Sequence, residues 1–288
     1  MSFTLRLTIV ILASAILAAI VAPFAAAAVS AMGFRFPFPR IFDRTVMVIV
    51  AIAVITQGRA LRAMPLLRSG FAHPIRNLPR TTRGFLISIV AIALLVYLAA
   101  FMGAHASETS AGIWRVMPKY FISAIAIAII EEGFFRVFLL RGMEGDFGRT
   151  AALLLSSAIY SVAHLIRSPA KFYLTGIHPM AGFQTLGISL AHVANPALML
   201  PTFIGLFLLG IVLGEAFLVT GTVYFAIGLH AGFVMGAKLW PRMTSAGLAL
   251  PGWLGGWGSQ PLISGVAAWA VAIAILLLIR PLTRARRA

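Results

Sequence analysis

Ile125-Ala-Ile-Ala-Ile-Ile-Glu-Glu-Gly-Phe-Phe-Arg136 places two adjacent carboxylates and a guanidinium inside an apolar run of membrane type. Each ionised carboxylate at the centre of a membrane helix costs roughly 2.5–3.5 kcal/mol on insertion scales. The chain has only seven acidic residues. Two of them placed here, one helical turn from Arg136, must either do chemistry or hold the fold together.

The surrounding composition sets the class. The chain has 288 residues, is 61% hydrophobic and only 10% charged, with a mean hydropathy of +1.00. A soluble domain cannot hide that much apolar surface, so the expected fold is all-α: a polytopic transmembrane bundle of about eight helices in a single integral membrane domain over 1–288. A net charge of +16 would suit nucleic acid, but the basic residues lie in short loops between apolar spans, so no nucleic-acid partner is expected. Those loop residues set topology and meet anionic head groups, which makes lipids the expected neighbours. The absence of cysteine excludes disulfides, thiolate metal sites and a cysteine nucleophile.

Apolar runs bounded by Pro, Gly and charge predict helices near 7–32, 41–57, 84–104, 118–140, 150–167, 199–219, 222–240 and 262–280. The first has features of a signal peptide but is long enough to span, and is read as a transmembrane helix. Arginine gathers at Arg59, Arg62, Arg68, Arg76, Arg80 and Arg83, and again in the tail at Arg280, Arg284, Arg286 and Arg287. The positive-inside rule then puts both termini in the cytoplasm, most simply of a bacterial inner-membrane protein. Arg35, Arg40 and Arg44 fall on the opposite side and break that pattern. The segment 59–83 is read as an interfacial stretch or a plain basic loop. The stretch 168–198, with Pro169, Pro179, Gly176 and Gly182, is read as a long outer loop or re-entrant segment.

On an α-helix residues four apart share a face and adjacent residues diverge by about 100°. Glu132 and Arg136 are therefore expected to form an intrahelical ion pair, with Glu131 aimed elsewhere as the reactive carboxylate. His164 and His230 occupy two further spans. Counted from the helix ends at 1.5 Å per residue, Glu131, His164 and His230 lie roughly 12–21 Å deep. His73 and His105 in connections, and His178 and His192 in the long loop, are weaker candidates. Gly228, Gly232 and Gly236 form a small-residue stripe, as do Gly210 and Gly214, and such stripes let backbones approach closely. His230 lies nearly opposite its stripe and should face a cavity.

With these residues in place, the chain resembles the CPBP family of intramembrane glutamic endopeptidases, which includes type 2 CAAX prenyl proteases and Abi-like proteins. EExxxR is intact as Glu131-Glu132-Gly-Phe-Phe-Arg136, and the second motif reads Tyr160-Ser-Val-Ala-His164. Thr220-Gly221-Thr222 follows the glycine-spaced helix, and the last motif reads His230-Ala-Gly-Phe-Val234. The resemblance covers a core of about 115–240. It implies that Glu131 and His164 activate a water that attacks a peptide carbonyl in a membrane-anchored peptide or protein. His230 would then stabilise the oxyanion, Glu132 and Arg136 would orient the site, and Tyr160 would support it, with no cofactor and no metal.

Val234 departs from the family's Asn or Asp. Either Asn195, Tyr160 or a backbone N–H substitutes as donor, or activity is reduced, or the chain is no longer a protease. A zinc hydrolase using His164 and His230, a non-catalytic immunity or scaffold protein, and a proton-coupled transporter are the competing readings. Substrate identity and oligomeric state are not legible in the sequence.

Overall fold

In the computed structural model, which describes residues 2–166, 168, 170–257, 260 and 262–284, the chain is helical with almost no strand. Pro169, Arg286 and Arg287 lie outside the described residues. The helices are α1 (Phe3–Ala31), α2 (Phe38–Thr56), α3 (Ala63–Gly70), α4 (Pro74–Phe101), α5 (Ser110–Glu132), α6 (Arg141–Leu165), α7 (Ala181–Val193), α8 (Pro196–Thr220), α9 (Tyr224–Thr244), α10 (Gly252–Gly255) and α11 (Val266–Arg284). A π-helical segment, Gly133–Leu140, joins α5 to α6. All eight expected spans are found as helices. Among the described residues three are long and apolar enough to cross a membrane: Phe3–Ala31, Pro74–Phe101 and Met199–Thr220. Several others carry charge: α5 ends in Glu131 and the buried Glu132, and α9 holds the partly buried Lys238 and Arg242.

Two of the connections contain short helices. The basic segment after α2 folds into α3, and part of the stretch 168–198 forms α7, which carries His192 in its last turn. Helix α6 is broken at Gly148, whose φ of +75° only glycine adopts without strain. That break matches the expected gap between spans ending at 140 and starting at 150.

The chain divides into two compact units. In the first, Met1–Pro65 with Val162–Met199, α1 and α2 form a hairpin, and α7 packs on α1. Its core is small on one side and aromatic on the other: Ala19, Ala22 and Ala26 meet Phe38, Phe42 and Ala181. A side chain at Gly182 would collide with the Ala19 carbonyl, so only glycine permits this approach. The outer face of α1 carries Leu5, Ile9, Leu12, Ile16 and Ile20, all exposed. Large residues outside and alanine inside is the arrangement of a helix whose solvent is lipid, where tight packing rather than water exclusion drives association.

The second unit, Leu66–Ser161 with Leu200–Ala288, centres on α9. Helix α4 repeats the inside-out pattern, exposing Leu86, Val90, Leu94 and Phe101 while burying Ser88, Ala91 and Ala99. The stripe Gly228, Gly232 and Gly236 packs on α4, against Thr81, Ser88 and Ile92 respectively. Ser88 Oγ donates to the Leu229 carbonyl at 2.8 Å, adding a hydrogen bond where the backbones are closest. The second stripe packs on α6, with Gly210 against Ser157 and Gly214 against Leu153. The start of α9 is pinned by Val223 N–H to the Gly70 carbonyl at 3.0 Å and by Tyr224 OH to the Phe71 carbonyl at 2.8 Å. Glu215 on α8 is held by Arg280 at 2.9 Å and Arg149 at 3.4 Å.

Gly228→Ala puts a methyl against the Thr81 carbonyl oxygen, and is expected to destabilise the protein by about 1–3 kcal/mol, the usual cost of overpacking. Gly145→Ala, in α6 with open space around it, should be neutral or slightly stabilising. Thermal unfolding of the detergent-solubilised variants compares the two.

Candidate active site

Glu131 and Glu132 end α5, and the helix widens immediately after them. The π segment has Arg141 N–H bonded to the Arg136 carbonyl, an i→i+5 closure. Such insertions are rare in helices and frequent at functional sites, because they change the direction in which successive side chains project. Gly133 opens the segment with its Cα close to the Phe71 ring, so a side chain there would press on that ring.

Within the widened turn, Glu132 and Arg136 form the expected ion pair, Oε2 to Nε at 3.1 Å, with both side chains fully buried. The surroundings of Arg136 explain how a membrane helix keeps it. Its guanidinium lies 4.9 Å from the Tyr160 ring centre and 6.0 Å from that of Phe135. Aromatic faces stabilise a desolvated cation by about 2 kcal/mol or more. The terminal nitrogens of Arg136 are buried with no hydrogen-bond acceptor among the described residues, which leaves the rings and Glu132 as its main support. Phe135 and Tyr160 meet edge-to-face at 5.0 Å, and Tyr160 also approaches the His230 ring at 6.2 Å.

His230 joins the two carboxylates. Its Nδ1 lies 2.8 Å from Glu132 Oε1, a buried hydrogen bond. Its Nε2 lies 3.7 Å from Glu131 Oε2, too far for a direct hydrogen bond. With the Nδ1–H donating to Glu132, Nε2 is the nitrogen presented toward Glu131. The glycine stripe faces α4 and His230 faces α5, as expected from their angular separation. The carboxylates differ in access: Glu132 is fully buried, whereas the Glu131 side chain is 27% exposed. One carboxylate holds the imidazole, and the other keeps part of its side chain exposed although its Oε2 is buried.

His164 ends α6 half-buried, and Asn195, exposed, precedes α8. Both belong to the first unit. His73 precedes α4 with φ +53°, His105 lies in a two-residue strand paired with Ala246, and His178 Nε2 contacts the Thr175 carbonyl at 3.1 Å. None of these three joins the carboxylates. Among the described residues no group of three or more His, Asp or Glu is arranged to hold a metal ion.

Sequence reasoning missed a polar ladder that continues from the site. His230, Val234, Lys238 and Arg242 repeat every four residues, a single stripe along α9. Lys238 Nζ donates to Ser123 Oγ, and its ammonium sits 5.8 Å from the Tyr120 ring centre. Arg242 pairs with Glu108 and donates through Nε to Tyr120 OH at 2.9 Å. The four-residue spacing was the signal, hidden because Val234 interrupts it. Val234 itself is half-buried between two polar neighbours.

Removing Arg136 should leave Glu132 as an uncompensated buried charge, at about 3–5 kcal/mol. Arg136→Met is therefore expected to destabilise strongly. Adding Glu132→Gln to it should cost less than the sum of the single changes, and a double-mutant thermal-unfolding cycle measures that coupling.

No curated protein and no solved structure matches the chain. Residues 112–235 match the family model of Rce1-like proteins, type II CAAX prenyl endopeptidases. That segment begins at the first turns of α5 and ends in α9, so it contains the Glu131–Glu132–Arg136 turn, Tyr160, His164 and His230. Over these residues the chain is similar to Rce1-like proteins, the CAAX-type membrane proteases that its motifs resemble.

Proposed function

We propose that this chain is an intramembrane endopeptidase that hydrolyses a peptide bond in a membrane-anchored substrate, using water activated by glutamate and histidine without a metal. The observation that carries the reading is the bridging of two carboxylates by His230, 2.8 Å from Glu132 and 3.7 Å from Glu131. A water lodged against Glu131 would give its proton to the Glu131 carboxylate as its oxygen attacks the peptide carbonyl. The proton then passes to the leaving amine, so Glu131 acts first as base and then as acid. In its doubly protonated form His230, oriented through Nδ1 by Glu132, would donate from Nε2 to the developing oxyanion. Arg136 and Tyr160 position Glu132 and take no part in bond making.

The buried environment suits this chemistry. In a site of low dielectric an oriented donor stabilises developing charge far more than in water. The name of the matched family points to prenylated CAAX peptides as the first substrates to assay, in a protein expected to sit in a bacterial inner membrane with both termini cytoplasmic.

Glu131→Gln is expected to abolish cleavage of a membrane-anchored reporter peptide while leaving the thermal midpoint within a few degrees of wild type. Undiminished turnover would exclude the mechanism. His230→Ala should lose about 10²–10⁴ in kcat, the usual contribution of a positioned acid–base group. Chelators should leave the rate unchanged; inhibition reversed by zinc would favour a metallohydrolase. Val234→Asn restores the family's polar group one turn from His230. It should raise kcat, up to the roughly 10²–10³ that one oxyanion donor supplies.

A further inference from the structure

The first unit holds a groove of about 670 Å³ between α1 and α2, well away in sequence from the catalytic motifs. Its lining is graded. Along α2, Arg40, Arg44 and Thr45 form one end, and Val48, Ile49 and Ile52 the other. From residue 44 to residue 52 the helix rises about 12 Å. The opposite wall is Val21, Ala25 and Val29, spaced every four residues on α1. A second recess of about 410 Å³ shares Phe36 and Ile41 with the groove and adds Arg35, Ser30, Tyr173 and Thr175. Three arginines and several hydroxyls therefore surround the polar end, and only aliphatic groups line the other.

These are the three arginines that break the positive-inside pattern. They lie around the first turns of α2, whereas Arg59 and Arg62 follow its far end. Cations retained where topology does not call for them need another reason. Arg40 Cζ lies over the Phe36 ring, 5.2 Å from its centre, at the polar end of the groove. Arg44 Nη1 donates to the weak acceptor Met47 Sδ at 3.3 Å. Asp43, beside Arg44 in sequence, is exposed and does not line the groove.

We propose that this groove binds one anionic glycerophospholipid, with its phosphodiester held by Arg40 and Arg44, its polar head toward Arg35, and an acyl chain along Val48 and Ile52. Arginine suits phosphate because its planar donors match two oxygens at once. The aliphatic walls exclude a free inorganic anion as the preferred occupant and require a hydrocarbon chain on the same molecule. A bilayer supplies such a molecule at high local concentration.

The test uses the full chain, delipidated in non-ionic detergent, with binding read by native mass spectrometry and by shift of the thermal midpoint. The probes are dioleoyl phosphatidylglycerol, dioleoyl phosphatidylcholine and glycerol 3-phosphate. Phosphatidylglycerol should bind at least tenfold more tightly than phosphatidylcholine, with one copy retained, and glycerol 3-phosphate should bind far more weakly than either lipid. Arg40→Gln with Arg44→Gln should remove the tenfold preference and leave phosphatidylcholine binding unchanged. Arg40→Lys with Arg44→Lys should retain part of it. Val48→Trp, which fills the apolar end and keeps both arginines, should weaken both lipids, so the inference stays testable if the double variant does not fold. Equal binding of the two lipids, a preference that survives the double Gln variant, or unchanged affinity in Val48→Trp would each overturn it. So would a lipid-free dimer that Val48→Trp dissociates, since a second copy would then be the occupant. No arm of the test reads proteolysis, so its outcome is separate from that of the catalytic proposal.

Discussion

Everything in the second unit is arranged so that Glu132 can remain buried. An isolated carboxylate in a low-dielectric interior would take up a proton rather than stay charged. Glu132 has two buried partners, Arg136 at 3.1 Å and His230 at 2.8 Å. That requirement propagates outward. Arg136 needs Tyr160 and Phe135 against its guanidinium, so α6 must approach the π segment. His230 must face α5, so its helix must turn its glycine stripe to α4. The close α4–α9 packing, which only glycine allows, is the mechanical counterpart of a single ionic contact.

The same arrangement separates two carboxylates that are adjacent in sequence. Neighbours on a helix diverge, and the change of winding just after them fixes how far. Glu132 becomes a fixed partner of an imidazole; Glu131 remains partly accessible at the edge of the same imidazole. Two identical side chains thereby acquire different surroundings, one fully buried against an imidazole and a guanidinium and one partly exposed. The ladder of Lys238 and Arg242 extends the polar face of α9 beyond the site and shows that the α5–α9 interface is polar along much of its length.

The lipid groove proposed for the first unit follows from the same physics applied to a different solvent. Helices α1 and α4 each show large apolar residues outside and bury alanine or serine at their closest contacts, as packing within a bilayer favours. Where such a surface carries an apolar furrow ending in arginines, the bilayer itself provides the complementary molecule.

Much of the class and part of the site were legible from residues alone. Apolar runs set the helices because a backbone in lipid must satisfy its own hydrogen bonds, and the Glu132–Arg136 pair followed from a spacing of four. The glycine stripe of α9 fixed the direction of His230 because helical geometry places residues two apart on nearly opposite faces. Other features depended on chain contacts that no local pattern encodes. That His230 binds Glu132 more closely than Glu131 depends on the approach of α9 to α5, with the partners 98 positions apart in sequence. The π winding after Glu132 has no clear compositional signature, and the helices α3 and α7 arise in stretches whose mixed polarity reads as loop. Sequence determined which groups must be buried together, because burying charge is costly; tertiary structure decided which atom meets which, because that depends on how two helices settle against a third.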